Sequence, residues 1–157
     1  MNDFERRALD IAQSSTYLTL YARQGQQILG IEYFGYSVEI DNVAVGAPAS
    51  AVFQVQSDSD FVCTYLSGLA INPATAAIDP VPSGLIQITD TGSGKTFFNQ
   101  PTFMGLVLGQ GGYPFLLPAP RLIAPNTNIQ YNITNLAAAA RNFHITMLGA
   151  RIFYGAS

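Results

Sequence analysis

Ile129-Gln130-Tyr131-Asn132-Ile133-Thr134 and, a few residues later, Phe143-His144-Ile145-Thr146-Met147 alternate apolar and polar side chains without a break. Successive side chains of an extended chain point to opposite faces, so this period of two marks strands with one face in a core. Working outward, the same alternation recurs in Val38 and Ile40 between Ser37, Glu39 and Asp41, in Phe53 and Val55 beside Gln54 and Gln56, and in Ile86 and Ile88 beside Gln87 and Thr89. Turn chemistry bounds the runs: Gly46-Ala47-Pro48, Ser57-Asp58-Ser59-Asp60, Gly92-Ser93-Gly94 and Pro125-Asn126-Thr127. Short strands at such spacing, with no long helix between them, predict a mainly β fold, an antiparallel β-sandwich or a barrel. Asn72 to Gly84 reads as a surface loop. Gly109 to Pro120, broken by prolines and glycines, reads as an extended crossing segment, and Gly149 in the last strand as a bulge or a close backbone approach.

Residues 1–15 differ from everything after them. Phe4, Ala8, Ile11 and Ala12 fall on one helical face, Asn2 can cap with Glu5 three positions on, and the segment holds five of the chain's 17 charged residues. The division expected is a helical arm over 1–15 and a sandwich domain over 16–157. A helix this short is marginal alone, so it should dock either on its own sandwich or on a neighbouring subunit.

Of the 157 residues, 48% are apolar and only 11% charged, against roughly 25% charged in ordinary soluble domains. No stretch has the roughly 18 unbroken apolar residues of a spanning helix, so no membrane partner is expected. Burial against protein partners accounts for the shortage of charge. The seven basic residues are scattered and the net charge is −3, which argues against nucleic-acid binding. The N-terminal residues lack a signal peptide's apolar core, so synthesis in a cytoplasm is expected. Cys63 is the sole cysteine, which excludes an intrachain disulfide. Its alternation groups it with Phe61 and Tyr65 as a small buried hydrophobe.

Signals for catalysis or cofactors are poor. Gly92-Ser93-Gly94-Lys95-Thr96 ends like a phosphate-binding loop, but Thr89 stands where that motif needs glycine, and Phe97-Phe98-Asn99-Gln100-Pro101 cannot open a helix. A hairpin loop is the expectation there. One histidine, His144, limits triads and zinc sites, and its strand places it on a polar surface. Asp58 and Asp60 are the one candidate calcium pair, set against simple turn capping. The chain has no Trp to floor a sugar-binding cleft. No cofactor and no catalytic residue is assigned.

The stretch from Phe53 to Tyr154 resembles head decoration, or cement, proteins of tailed bacteriophages. The resemblance is carried by Ser57-Asp58-Ser59-Asp60-Phe61 entering a strand, by Leu85-Ile86-Gln87-Ile88-Thr89-Asp90 with its glycine turn and Asn99-Gln100-Pro101, by Tyr113-Pro114-Phe115 running into Pro120-Arg121-Leu122-Ile123, and by the closing strand around Gly149. It implies a β-sandwich or jelly-roll subunit on the virion surface that clamps neighbouring copies of the major capsid protein. It further implies a homotrimer or homodimer without enzymatic activity. Interface candidates are Phe4, Arg7 and Ile11 on the arm, with Tyr113, Phe115 and Arg121 further on. A tail, fibre or head–tail connector component is the alternative, and a carbohydrate-binding sandwich module a second.

Overall fold

A computed structural model describes residues 25–79, 81–109 and 113–155. The arm expected over 1–15 lies outside the described residues. Strands make up 65% and helix 3%, so the chain is mainly β. In chain order the elements are β1 (Ile28–Val43), β2 (Pro48–Gln54), β3 (Ser59–Ile71), β4 (Ile78–Asp79), β5 (Gly84–Asp90), β6 (Lys95–Thr96), β7 (Thr102–Phe103), α1 (Met104–Val107), β8 (Phe115–Ile123), β9 (Asn128–Asn135) and β10 (Arg141–Tyr154).

Two antiparallel sheets result. The first runs β1-β10-β3, with β4 and β8 both on the far edge of β3. The second runs β2-β9-β5, with β6 and β7 on the far edge of β5. The pairs nest: β1 with β10, β2 with β9, β3 with β8, and β5 with the β6–β7 segment. One long antiparallel ribbon, folded back after β5, is thus rolled so that successive segments fall in opposite sheets. That is the jelly-roll form of the sandwich.

All five alternating runs lie in or at the ends of strands, and their apolar members fill the space between the sheets. Ile129, Tyr131 and Ile133 of β9, Ile86 and Ile88 of β5, and Phe143, Ile145 and Met147 of β10 are almost wholly buried. Aromatic rings close one side, where Tyr36 of β1 stacks on Phe53 of β2 at 4.8 Å and meets Phe61 edge-on at 4.9 Å. The Gln56 backbone N–H donates to the Tyr36 hydroxyl at 3.1 Å. At the end of β9, buried Asn135 donates through Nδ2 to the carbonyls of Val43 (2.8 Å) and Ala139 (3.0 Å), and its Oδ1 accepts from Ala137 N–H (2.9 Å). A buried amide is tolerated there because its polar atoms are paired.

Three elements depart from the sequence reading. The segment expected to cross in extended form is in part a strand: β8 contains Pro118 and Pro120 and pairs along β3. Proline cannot donate to a ladder, so such a strand belongs at an edge, where β8 lies. The Asn72–Gly84 loop contains β4, paired with Ala70 and Ile71. The third departure concerns Tyr65. Its register against β10 slips between Leu148/Tyr65 and Gly149/Cys63, so Thr64 is an extra residue in β3. Above the slip Leu66 and Ala70 are buried, and below it Phe61 and Cys63 are. The bulge turns Tyr65 to the outside, 40% exposed, away from Cys63.

Gly149 sits at this bulge, and a Cβ there would overlap the Val62 carbonyl. Both readings of that glycine hold at once. Gly149→Ala should therefore lower unfolding free energy by about 2 kcal/mol, measured by chemical denaturation. Wild-type stability would contradict the close approach.

Candidate interaction surfaces

The pleat gives each sheet an outer face, and the two faces differ chemically. On the second sheet, Ser50 of β2, Gln87 of β5 and Gln130, Asn132 and Thr134 of β9 stand on the side opposite the buried isoleucines. Gln130 Nε2 donates to Asn132 Oδ1 at 3.1 Å. This face is uncharged and mixed: Val52 and Phe103 are exposed on it, and a shallow depression of about 360 Å³ is lined by Ser50, Gln87, Asn132 and Thr134 together with Pro48, Leu85 and Pro101.

The outer face of the first sheet divides along its length. At one end, Ser37 and Thr146 share a hydrogen bond at 2.8 Å, and His144 Nε2 lies 3.2 Å from Glu39 Oε1. His144 is therefore on the polar surface, as its alternation predicted. The other end is apolar. Tyr33 (70% exposed) on β1, Tyr65 on β3 and Leu148 on β10 surround Gly35 and Gly149, and with Thr64 and Pro114 they line an open groove of about 610 Å³. Gly35 leaves the floor low, since a Cβ there would touch Leu148 Cδ2 at 3.0 Å. Exposed Leu116, paired with Tyr65, and Tyr113 (85% exposed) extend this surface. Val62, Ala150 and Ile152 form a separate buried cluster, packed against by Ile28, Ile31 and Tyr154.

The interface candidates fall in different places. Tyr113 is exposed beside the groove. Phe115 is half-buried and packs on the core, so only a fraction of its ring is available to a partner. Arg121 is exposed but already engaged: its guanidinium lies 5.5 Å from the Phe97 ring centroid, and Nη2 donates to the Phe97 carbonyl at 3.5 Å. It reaches from β8 to the segment after β6 and closes the second side of the sandwich. Phe4, Arg7 and Ile11 lie outside the described residues.

Asp58 serves Arg151. The Arg151 guanidinium, on β10 and almost buried, donates through Nη2 to Asp58 Oδ1 (2.7 Å), through Nε to Ser59 Oγ (2.9 Å) and through Nη1 to Glu32 Oε2 (3.3 Å). The Phe34 and Phe153 rings flank it at 5.0 and 4.7 Å. Asp60 is 2% exposed. Among the described residues, no group of three or more His, Cys, Asp or Glu is placed to hold a metal ion. Sequence reasoning missed Arg151 as an organising residue, because Glu32, Asp58 and Ser59 lie far from it along the chain.

The phosphate-loop look-alike is a hairpin turn between β5 and β6. Asp90 Oδ1 accepts from the backbone N–H groups of Gly92 (2.9 Å) and Ser93 (3.0 Å), so two amides that could meet an anion are held by a carboxylate. The loop edges a cleft of about 570 Å³ shared with Phe97 and Arg121. Cys63 is buried with its Sγ 3.6 Å from the Tyr65 carbonyl, and burial pushes the thiol up to about 12. It is thus a protonated core side chain near neutral pH rather than a nucleophile.

What these positions define is a jelly-roll sandwich with an open apolar groove on one outer face. No protein-family model matches the chain, and no curated protein matches it.

The Arg151 contact holds the Asp58 carboxyl below its ordinary value near 3.8, chiefly through the hydrogen bond from the guanidinium. A depressed native value means that the contribution to stability is present above that ordinary value and lost as pH falls through the native one. Asp58→Asn should flatten the decline of unfolding stability below about pH 4, measured by urea titration across pH 2–6. An unchanged acid limb would remove the Asp58–Arg151 pair from the balance.

Proposed function

We propose that this chain is a structural, non-enzymatic virion protein. In this reading it binds the outside of a phage capsid shell and stabilises contacts between major capsid subunits, as a homotrimer or homodimer. The observation that carries the reading is the apolar groove of Tyr33, Tyr65 and Leu148, continued by Leu116 and Tyr113. Contiguous exposed apolar surface on a stable sandwich marks a binding face for protein. Aromatic side chains supply large contact area at small entropic cost, which suits them as anchors at such a face. The resemblance of residues 53–154 to cement proteins gives the partner class, and the shortage of charge fits a subunit that spends its life on another surface. Tyrosine at the groove and few charges around it favour protein over membrane or nucleic acid.

Quantifying copies per particle, together with rebinding of purified protein to shells stripped of it, tests the reading. Copy number should approach that of the major capsid protein. Tyr65→Glu should lower shell affinity roughly tenfold or more by placing a carboxylate in the groove, with no change in thermal stability. A handful of copies at one vertex would move the protein to the tail or connector, and unaltered binding by Tyr65→Glu would remove the groove from the interface.

The amide and hydroxyl side chains of Ser50, Gln87, Asn132 and Thr134 at the depression on the second sheet favour one other reading, a carbohydrate-binding module. Isolated protein applied to a glycan array should give no specific signal under the capsid reading. A specific sugar, lost in Asn132→Ala, would favour the module.

A further inference from the structure

Each sheet of a sandwich ends in strands whose outward N–H and C=O groups lack a ladder partner, and such edges invite pairing with another chain. Among the described residues, most of these edges carry a device against that. The β8 edge holds Pro118 and Pro120, and Arg121 folds over it. The β4, β6 and β7 edges are two residues long. The β2 edge is seven residues and begins with Pro48. The exception is β1, which has 16 residues without proline, lysine or arginine, and which among the described residues pairs only with β10. Its register against β10 is continuous from Gly30 to Ile40, with irregularities confined to the two ends. Of its three acidic side chains, Glu32 meets the Arg151 guanidinium at 3.3 Å, Glu39 Oε1 lies 3.2 Å from His144 Nε2, and Asp41 lies near the end of the strand.

We infer that β1 is the contact through which two copies of this chain join, edge to edge and antiparallel, about a two-fold axis near Gly35. The inference deepens the proposed function by naming the surface of self-association, and it rests on that reading only for its role in an assembly. A strand edge is self-complementary under a two-fold rotation, because each copy offers the same donors and acceptors in reverse order. Charge excludes the registers that oppose two carboxylates, and the side-chain-free Gly35 selects the axis among the rest. In a continuous sheet, directly opposed residues share a face, so their numbers must sum to an even constant. An axis at Gly35 places Tyr33 opposite Ser37 of the partner subunit and Ile31 opposite Glu39 of the partner subunit. Glu32 then faces Val38 of the partner subunit, and no two carboxylates stand opposite one another. Gly35, with no side chain beyond the backbone, leaves the centre of the join free of steric conflict.

The test uses the full chain in solution. Sedimentation equilibrium over a wide concentration range should give a monomer–dimer equilibrium. Tyr33→Lys with Ser37→Lys opposes two ammonium groups on each side of the axis and should weaken the dimer roughly tenfold or more. Tyr33→Lys with Ser37→Glu opposes unlike charges at the same positions and should restore it. Both residues are exposed, and circular dichroism and melting temperature verify that each variant folds. A monomer at all concentrations, or an oligomer indifferent to both double variants, would overturn the inference, including the case in which the chain before Gly25 fills the edge. Shell binding is read on particles and self-association on free protein, so either can fail without the other.

Discussion

The backbone of β3 and β10 comes together where Gly149 meets the Val62 carbonyl, and the rest of the first sheet is arranged around that approach. Any side chain at 149 would hold the strands apart, and the sheet's central strand could not then pair with β3 along its whole length. The bulge beside it has a second effect. By adding Thr64 to one strand, it changes which residues of β3 face the core, so Leu66 and Ala70 on one side of it and Phe61 and Cys63 on the other can all point inward. The inner layer stays continuous while Tyr65 is released to the outer face. A local irregularity of the ladder thus supplies both an unbroken core and the aromatic side chain at the groove.

The two sides of the sandwich are closed by different chemistry, and this bears on which edge remains open. On the β8 side, Arg121 stacks on Phe97 and bonds its carbonyl, while prolines interrupt the strand. On the β1–β2 side, the closure is internal: Tyr36, Phe53 and Phe61 fill the gap between the sheets and leave the backbone edge of β1 uncovered by described residues. Arg151 completes the same end of the sheet. A buried guanidinium is costly unless paired, and here two carboxylates, a hydroxyl and two ring faces surround it. Its effect is to tie β1, β10 and the turn before β3 into one unit beneath the groove.

How much of this was legible along the chain depends on the distance over which each feature is encoded. Runs such as Ile129 to Thr134 carry their fold in the residues themselves, and β5, β9 and β10 follow from alternation alone. The hairpin at Gly92 to Gly94 was legible because a single missing glycine, at Thr89, and the absence of a following helix were enough to reject the phosphate-loop reading. β8 was not, because proline is read as a strand breaker unless the strand is known to be an edge, and that is a property of the sheet. Tyr65 was misplaced for a related reason: period-two reading presumes an uninterrupted ladder, and a bulge is a relation between two strands. The groove was beyond reach, since Tyr33, Tyr65 and Leu148 come from three strands and meet only after the ribbon has rolled.

The shortage of charge has consequences for how such a surface can bind. With scattered basic residues and a net charge of −3, long-range steering contributes little, and encounter must be followed by apolar burial and backbone pairing. At about 25 cal/mol per Å², one groove of a few aromatic and aliphatic side chains yields a modest affinity after the entropic cost of association. Under the proposed function a shell would change that arithmetic. It would present many equivalent sites at fixed spacing, and the inferred two-fold pair would carry two grooves held by one continuous sheet. The second groove would then bind at an effective concentration set by the rigid join rather than by the bulk solution. Two contacts of moderate strength, joined through an edge with no entropy to lose in a linker, would suffice for lasting attachment where either alone would exchange.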